Sequence, residues 1–286
     1  MTNCHDYAIF VISDSNRTPA RQAVNNECQP GLTPDMYIKY PYDQPLDAPE
    51  RTLWHGKLIR EKKFLRKLYE QWYQEFIREI PNLPNDTFIE LGSGGGFLKK
   101  LEPRVLCTDI LELPDNDMTF SALEMPLDDH SVGGIFMVDT LHHIPDMHRF
   151  FQEVARVLAR GGKMIMIEPA NTLWGRFIYK NFHHEPFDPE GGWTLPSTGP
   201  LSGANGALPW IVFERDHQIF TKQFPQLSLE TISYRNPLLY LLSGGVSYRQ
   251  LLPDFFYPMI KQIDQWLPRI SKQLAMFELV KIVRLD

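Results

Sequence analysis

Several groups of residues have the types and spacing to do chemistry. Glu90 ends a β-prone run at 87–89, and glycines follow at 92, 94 and 96, with Ser93 between the first two. Glycine tolerates positive φ and admits a ligand close to the backbone. A strand that breaks into such a turn and then a helix makes a small-molecule cradle. The spacing selects among cradles: the dinucleotide fingerprint needs glycine at 97, where Phe97 stands, and no Gly-Lys-Ser/Thr follows for a phosphate loop. Asp109 ends the next β-prone run, and Asp139 follows a third. Asp139 sits at the carboxyl end of the sheet, where ligands bind in such folds; it is a cofactor or substrate neighbour, or else a loop acid.

Two histidine groups stand out. His142 and His143 open a helix, where a His pair serves packing and capping, or alternatively supplies a general base because imidazole titrates near neutrality. His183, His184 and Glu185 form a denser cluster. As a metal site it is poor, since adjacent His side chains seldom converge on one ion and no H-x-x-x-H spacing occurs. The expectation is no metal, with substrate binding, a base or a solvated loop as its roles.

The positioning elements follow from periodicity. Residues 54–80 read as one long or broken amphipathic helix through Leu58, Leu65, Leu68, Trp72 and Phe76, stopped at Pro81. Next come strand 87–91, the glycine turn, a short helix near 96–102 and strand 104–108. Too few residues separate Asp109 from the apolar run 118–123 for a crossover helix, so that helix is replaced by a loop. Strand 134–138 is apolar throughout, as a buried parallel strand should be. Asp146 caps a helix with Met147, Phe150, Phe151, Val154, Val157 and Leu158 on one face, ended by Gly161-Gly162, and strand 163–168 follows. Beyond it, 172–182 and 213–224 read as helices, 227–234 as a strand, 258–273 as a helix and 277–285 as a last strand. Residues 183–210 form a long insertion. The β/α alternation indicates an open, mostly parallel sheet.

The composition sets bounds. A chain of 286 residues, 43% hydrophobic and 22% charged, suits one large α/β domain with embellishments or two small domains. Its net charge of −6 provides no basic field for nucleic acid. Cys4, Cys28 and Cys107 are odd in number and lack C-x-x-C spacing, which fits a reducing compartment. No apolar stretch reaches the ~18 residues of a spanning helix, and residues 7–12 are too short for a signal h-region. The expected location is cytoplasmic. The apolar stretch 238–260 reads as core or pocket lining, with a peripheral membrane contact as the minority reading.

Glu90-x-Gly-x-Gly-x-Gly96 resembles motif I of the class I S-adenosylmethionine (SAM)-dependent methyltransferases. The blocks 125–131, 141–146, 154–158 and 161–163 extend the resemblance over residues 86–170, towards the small-molecule, quinone-biosynthesis-like branch. It implies an α/β Rossmann-like fold: a seven-stranded, mostly parallel sheet with an antiparallel last strand, plus a cap insertion. The division is then an irregular leader (1–50) and a methyltransferase domain (51–286), with a cofactor-binding core at 86–170, a cap at 171–226 and sheet completion at 227–286. The cofactor implied is SAM, with S-adenosylhomocysteine (SAH) as product. Glu90 would hold the methionine amino group, Gly92, Ser93, Gly94 and Gly96 the backbone approach, and Asp109 the ribose hydroxyls. Ile110 would cover adenine, Ser121 and Ala122 would meet its edge, and Asp139 would lie nearby. The branch commonly has Asp where Ser121 stands, and a Phe-Asp pair where Val132-Gly133 stands. The expected function is methyl transfer to a small-molecule acceptor, with an oxygen nucleophile favoured and His143, His142 and His184 as candidate bases. The alternative is a catalytically silent SAM-fold protein. Aminopropyl transfer is disfavoured, because the segment 139–143 lacks the extra acids a polyamine would need.

Overall fold

The computed structural model describes residue 38 and residues 45–183, 185–196 and 199–285. The apolar run at 7–12, most of the leader and His184 lie outside the described residues. The sheet has seven strands in the order β3-β2-β1-β4-β5-β7-β6. These are β1 (Phe88–Leu91), β2 (Val105–Asp109), β3 (Met118–Thr119), β4 (Val132–Val138), β5 (Leu158–Pro169), β6 (Leu227–Arg235) and β7 (Phe277–Arg284). Strands β1 to β5 pair in parallel, and β7 runs antiparallel to both neighbours. This is the Rossmann-like methyltransferase topology expected from the sequence.

The helices cover the sheet where their apolar stripes dictate. The helix read at 54–80 is broken into α1 (Pro49–Glu61) and α2 (Lys63–Glu79). The break is Lys62, whose backbone is extended and whose ammonium donates to Tyr248 O at 2.7 Å. One face of α2 buries Phe64, Leu65, Leu68, Trp72 and Phe76. A single turn, α3 (Leu98–Leu101), follows the glycine turn. Between β2 and β3 there is only a loop, as the short spacing required.

In α4 (Met147–Val157), Asp146 Oδ1 accepts the Arg149 N–H at 3.1 Å, the expected N-cap. The helix stops four residues before Gly161, because Leu158 already pairs with Val132 in the sheet. Gly161, at φ +76°, lies inside β5 rather than ending α4. At the other departure, Gly133, a Cβ would fall 1.8 Å from Pro84 O, so close backbone packing excludes any side chain there.

After β5 come α5 (Leu173–Phe182), the one-turn α6 (Leu208–Trp210), a π-helical turn Ile211–Arg215 and α7 (His217–Gln223). The single helix read at 213–224 is thus two short pieces. Last come α8 (Leu239–Ser243) and α9 (Tyr257–Ile270).

Candidate active site

The carboxyl ends of β1, β2, β4 and β5 open onto one cleft. Gly92 and Gly94 adopt φ of +63° and +50°, folding the backbone after β1 back over the sheet end. A Cβ on Gly92 would lie 2.3 Å from Thr140 Cγ2, so the turn admits no side chain against the loop after β4. Glu90, at the end of β1, is buried beneath this turn, and its Oε2 has no hydrogen-bond partner among the described residues. Burial raises its pKa to about 8; a hydrogen bond from Tyr73 opposes this and the nearby Asp109 adds to it. Asp109 Oδ2 accepts Gly94 N–H and its Oδ1 accepts Leu111 N–H, both at 2.9 Å. Each oxygen keeps acceptor capacity for a ligand hydroxyl.

Three cavities adjoin at this cleft. The first, about 170 Å³, is lined by Gly92, Gly94, Asp109, Ile110, Ser121 and Ala122 among others. Ile110 is half exposed there, and Ser121 Oγ is engaged by Leu123 N–H at 3.2 Å. The second, about 150 Å³, shares Asp139 and His143 with the first and adds Glu90, Ser93, Gly96, Tyr69, His183 and Glu185. The third, about 290 Å³, is apolar, lined by Trp174, Phe177, Leu241 and Met276, and meets the second at His183, Tyr240 and Val246. A larger cavity, about 520 Å³, lies behind Trp72 beside Arg235 and Lys272 and touches none of the glycine-turn residues.

The cleft wall carries a buried polar cluster. Glu168, fully buried at the end of β5, accepts Thr140 N–H (2.8 Å) and Leu141 N–H (2.7 Å) and meets His142 Nδ1 at 2.7 Å. The other His142 nitrogen, Nε2, lies 3.2 Å from Glu185 Oε2. Burial alone would lower the pKa of His142, but the carboxylates Glu168 and Glu185 outweigh it and hold the imidazole well above its usual range. Glu185 is correspondingly held well below the carboxylate range: burial would raise it, but His142, His183 and His143 prevail. His143 Nδ1 meets Gly203 O at 2.9 Å; burial and the neighbouring His142 lower its pKa to about 4. Asp139, at φ +57°, is raised to about 7, chiefly by burial, with His142 opposing and Glu168 and Glu185 adding.

Glu90, Gly92, Ser93, Gly94, Gly96, Asp109, Ile110, Ser121, Ala122, Asp139 and His143 all line the first two parts of the cleft. His142 stands behind this wall, fully buried. Sequence reasoning did not single out Glu168, Thr140 or Tyr240. For Glu168 a signal existed: an acid at a strand's carboxyl end, like Glu90 and Asp109.

A family model described as "Methyltransferase domain" matches residues 89–166, the segment from β1 to β5 that builds this cleft. The chain is a class I SAM-dependent methyltransferase. The methyltransferase is 28% identical over 211 residues to the ubiquinone/menaquinone biosynthesis C-methyltransferase of Rickettsia rickettsii, a match covering 63% of this chain and 80% of the relative. It is 25% identical over 206 residues to the demethylmenaquinone methyltransferase of Symbiobacterium thermophilum, with the same coverage. A solved geranyl diphosphate C-methyltransferase from Streptomyces coelicolor superposes with a TM-score of 0.46 at 16% identity, covering 90% of this chain and 94% of that one. No helix among the described residues is long and apolar enough to cross a membrane.

The residues present fit SAM. An orphaned carboxylate oxygen on Glu90 suits a cationic amine, and the Asp109 carboxylate in the same cleft keeps acceptor capacity for hydroxyls.

Proposed function

We propose that this methyltransferase acts on a hydroxylated small molecule with an apolar body. The observation that carries the reading is the adjacency of two cavities: the apolar cavity and the glycine-turn cavity share Tyr240, His183 and Val246 in their linings. An acceptor seated there would present its polar end to Asp139, His143 and Glu185, while its apolar part would leave water for a lining of aromatic and aliphatic side chains. Residues 171–226, the cap, would close the acceptor over the sheet.

The roles of the chain's own groups follow from position. Glu90 would bind the methionine amine and Asp109 the ribose, with Ile110, Ser121 and Ala122 along the adenine. When bound, SAM supplies an electrophilic methyl group for in-line displacement. The protein orients the nucleophile and excludes water around it. His143, with Glu185, would hold the acceptor's hydroxyl at the site of attack, and His142, behind the wall, would fix Glu185. The nucleophile favoured by such a hydroxyl-binding cluster is oxygen. Attack by a ring carbon that the hydroxyl activates is a second reading, supported by the Rickettsia rickettsii relative, which is a C-methyltransferase.

The test is incubation with methyl-labelled SAM and a panel of hydroxylated aromatics bearing alkyl chains of graded length, beside protein, DNA and RNA. Transfer is expected only to the small molecules, increasing with chain length, and product NMR distinguishes O- from C-methyl. Transfer confined to polymers would overturn the reading. SAH binding without turnover on any acceptor would favour the silent alternative.

A further inference from the structure

We infer that His142, His143 and Glu185 form a binding site for a first-row divalent transition metal ion of the zinc type. The expected absence of metal rested on His183 and His184, whose adjacency disfavours convergence. His142 and His143 are adjacent as well, but their local backbone brings both rings to one carboxylate. His142 and His143 lie on a 3-10 turn, Leu141–His143, with ring centroids 4.3 Å apart, and Glu185 meets both rings. Glu185 Oε2 is 3.2 Å from His142 Nε2, Glu185 Oε1 is 3.6 Å from His143 Nε2, and all three ligand atoms lie within 4.8 Å of one another. A tetrahedral ion with nitrogen ligands at ~2.0–2.1 Å has ligand–ligand edges of about 3.4 Å. Small side-chain adjustments close the set.

The outer partners orient both rings for metal. His142 directs Nδ1 at Glu168, itself fixed by two backbone N–H groups, and His143 directs Nδ1 at the Gly203 carbonyl. With each Nδ1–H donating outward, both Nε2 lone pairs face Glu185, the carboxylate–histidine arrangement that sets tautomer and ligand basicity in metal sites. Without metal, the same short His142–Glu185 contact needs a proton on Nε2, so the ion and that proton compete for one position. The alternative grouping of Asp139, His142 and Glu168 is less suited, because His142 Nδ1 and both oxygens of Glu168 are already bonded.

Two imidazoles and one carboxylate leave coordination positions free, and His143 and Glu185 line the cleft. An ion there would be open to the cavity, as in catalytic rather than structural sites. If the proposed acceptor is correct, its oxygen would complete the shell. Ion binding itself does not depend on that reading.

The experiment uses the full chain without an affinity tag, stripped with chelator and titrated with cobalt(II) and then zinc(II). Visible d–d absorption and metal content after gel filtration are the readouts. One cobalt ion per chain with the strong absorption of a four- or five-coordinate site is expected, displaced by zinc. Glu185→Gln and His143→Ala should each weaken binding at least ~10-fold, and Glu185→Asp should retain an ion with a shifted spectrum, which guards against a folding defect in the other two. No bound ion at micromolar metal, or wild-type affinity and spectrum in both variants, would overturn the inference. Neither readout involves an acceptor, so failure here and failure of the proposed activity are separable.

Discussion

Gly56 of α1 and Gly95 of the glycine turn touch backbone to backbone: a Cβ on Gly95 would lie 2.1 Å from Gly56 Cα, and one on Gly56 would lie 2.5 Å from Gly95 Cα. The contact lets α1 press directly on the cofactor turn, and Arg60 Nη1 secures it by donating to Gly95 O at 2.9 Å. Gly95→Ala should therefore separate α1 from the turn. The expected cost is about 1–3 kcal/mol of stability, seen as a lower melting temperature, together with weaker SAH binding by calorimetry. Gly192→Ala, where a Cβ meets nothing within 4 Å, is the control and should leave both unchanged.

Glu90 should release a proton when SAH or SAM binds. Its pKa near 8 in the free protein keeps the carboxyl largely protonated at neutral pH, whereas a cationic amine beside it favours the ionised form. Affinity should therefore rise as pH goes from about 6 to 7.5, with close to one proton released per ligand at neutrality. Calorimetry in buffers of different ionisation enthalpy measures that proton. Glu90→Gln should abolish the release and weaken binding by roughly 1.5–3 kcal/mol. An unchanged buffer dependence would remove Glu90 from the site.

Glu278 is a buried acid outside the cleft, and neither carboxylate oxygen has a hydrogen-bond partner among the described residues. Burial, with Glu214 and Glu168 adding, raises its pKa well above the usual range despite Lys272. The folded state thus keeps a proton that the unfolded chain loses above about pH 4.3. Its contribution to stability is full below that pH and falls as pH rises, by up to about 1.4 kcal/mol per unit. Glu278→Gln should flatten this dependence. Melting temperatures measured between about pH 5 and 8 should fall more in the wild type than in the variant, by several degrees.

Val246, at the junction of the apolar cavity and the cofactor cleft, offers a direct separation of the two. Val246→Trp should obstruct the passage, raising acceptor KM by about 10-fold or more while leaving SAH affinity within a few-fold. Equal losses in both would mean that the two cavities do not divide the substrates as proposed.

Much of the cofactor side was legible in the sequence because its signals are local. Glu90, Gly92, Gly94 and Asp109 sit at strand ends and in a tight turn whose backbone demands particular residue types, and α4 declares itself by its stripe and by Asp146. On the proposed acceptor side, His142, His143 and Glu185 stood out by type but their contacts were not legible. Glu185 reaches His142 across 43 positions, and Gly203 reaches His143 across 60, so neither contact leaves a spacing signature. Gly56 and Gly95 are each ordinary in isolation and become necessary only when α1 docks. The premature end of α4 has the same origin: helix propensity and the glycine pair point to Gly161, but the sheet claims Leu158 first.

The position of β7 has a consequence for the order of synthesis. It is made after the other six strands, yet it lies between β5 and β6, and the residue just before it, Met276, lines the apolar cavity. On the ribosome, β5 and β6 must wait with unpaired edges until residues 277–284 emerge, so the apolar cavity cannot close before then. The cofactor half, β1 to β4 with the glycine turn, can assemble earlier. A ligand that stabilises that half would therefore be able to act as a folding template while the rest of the chain is still being made.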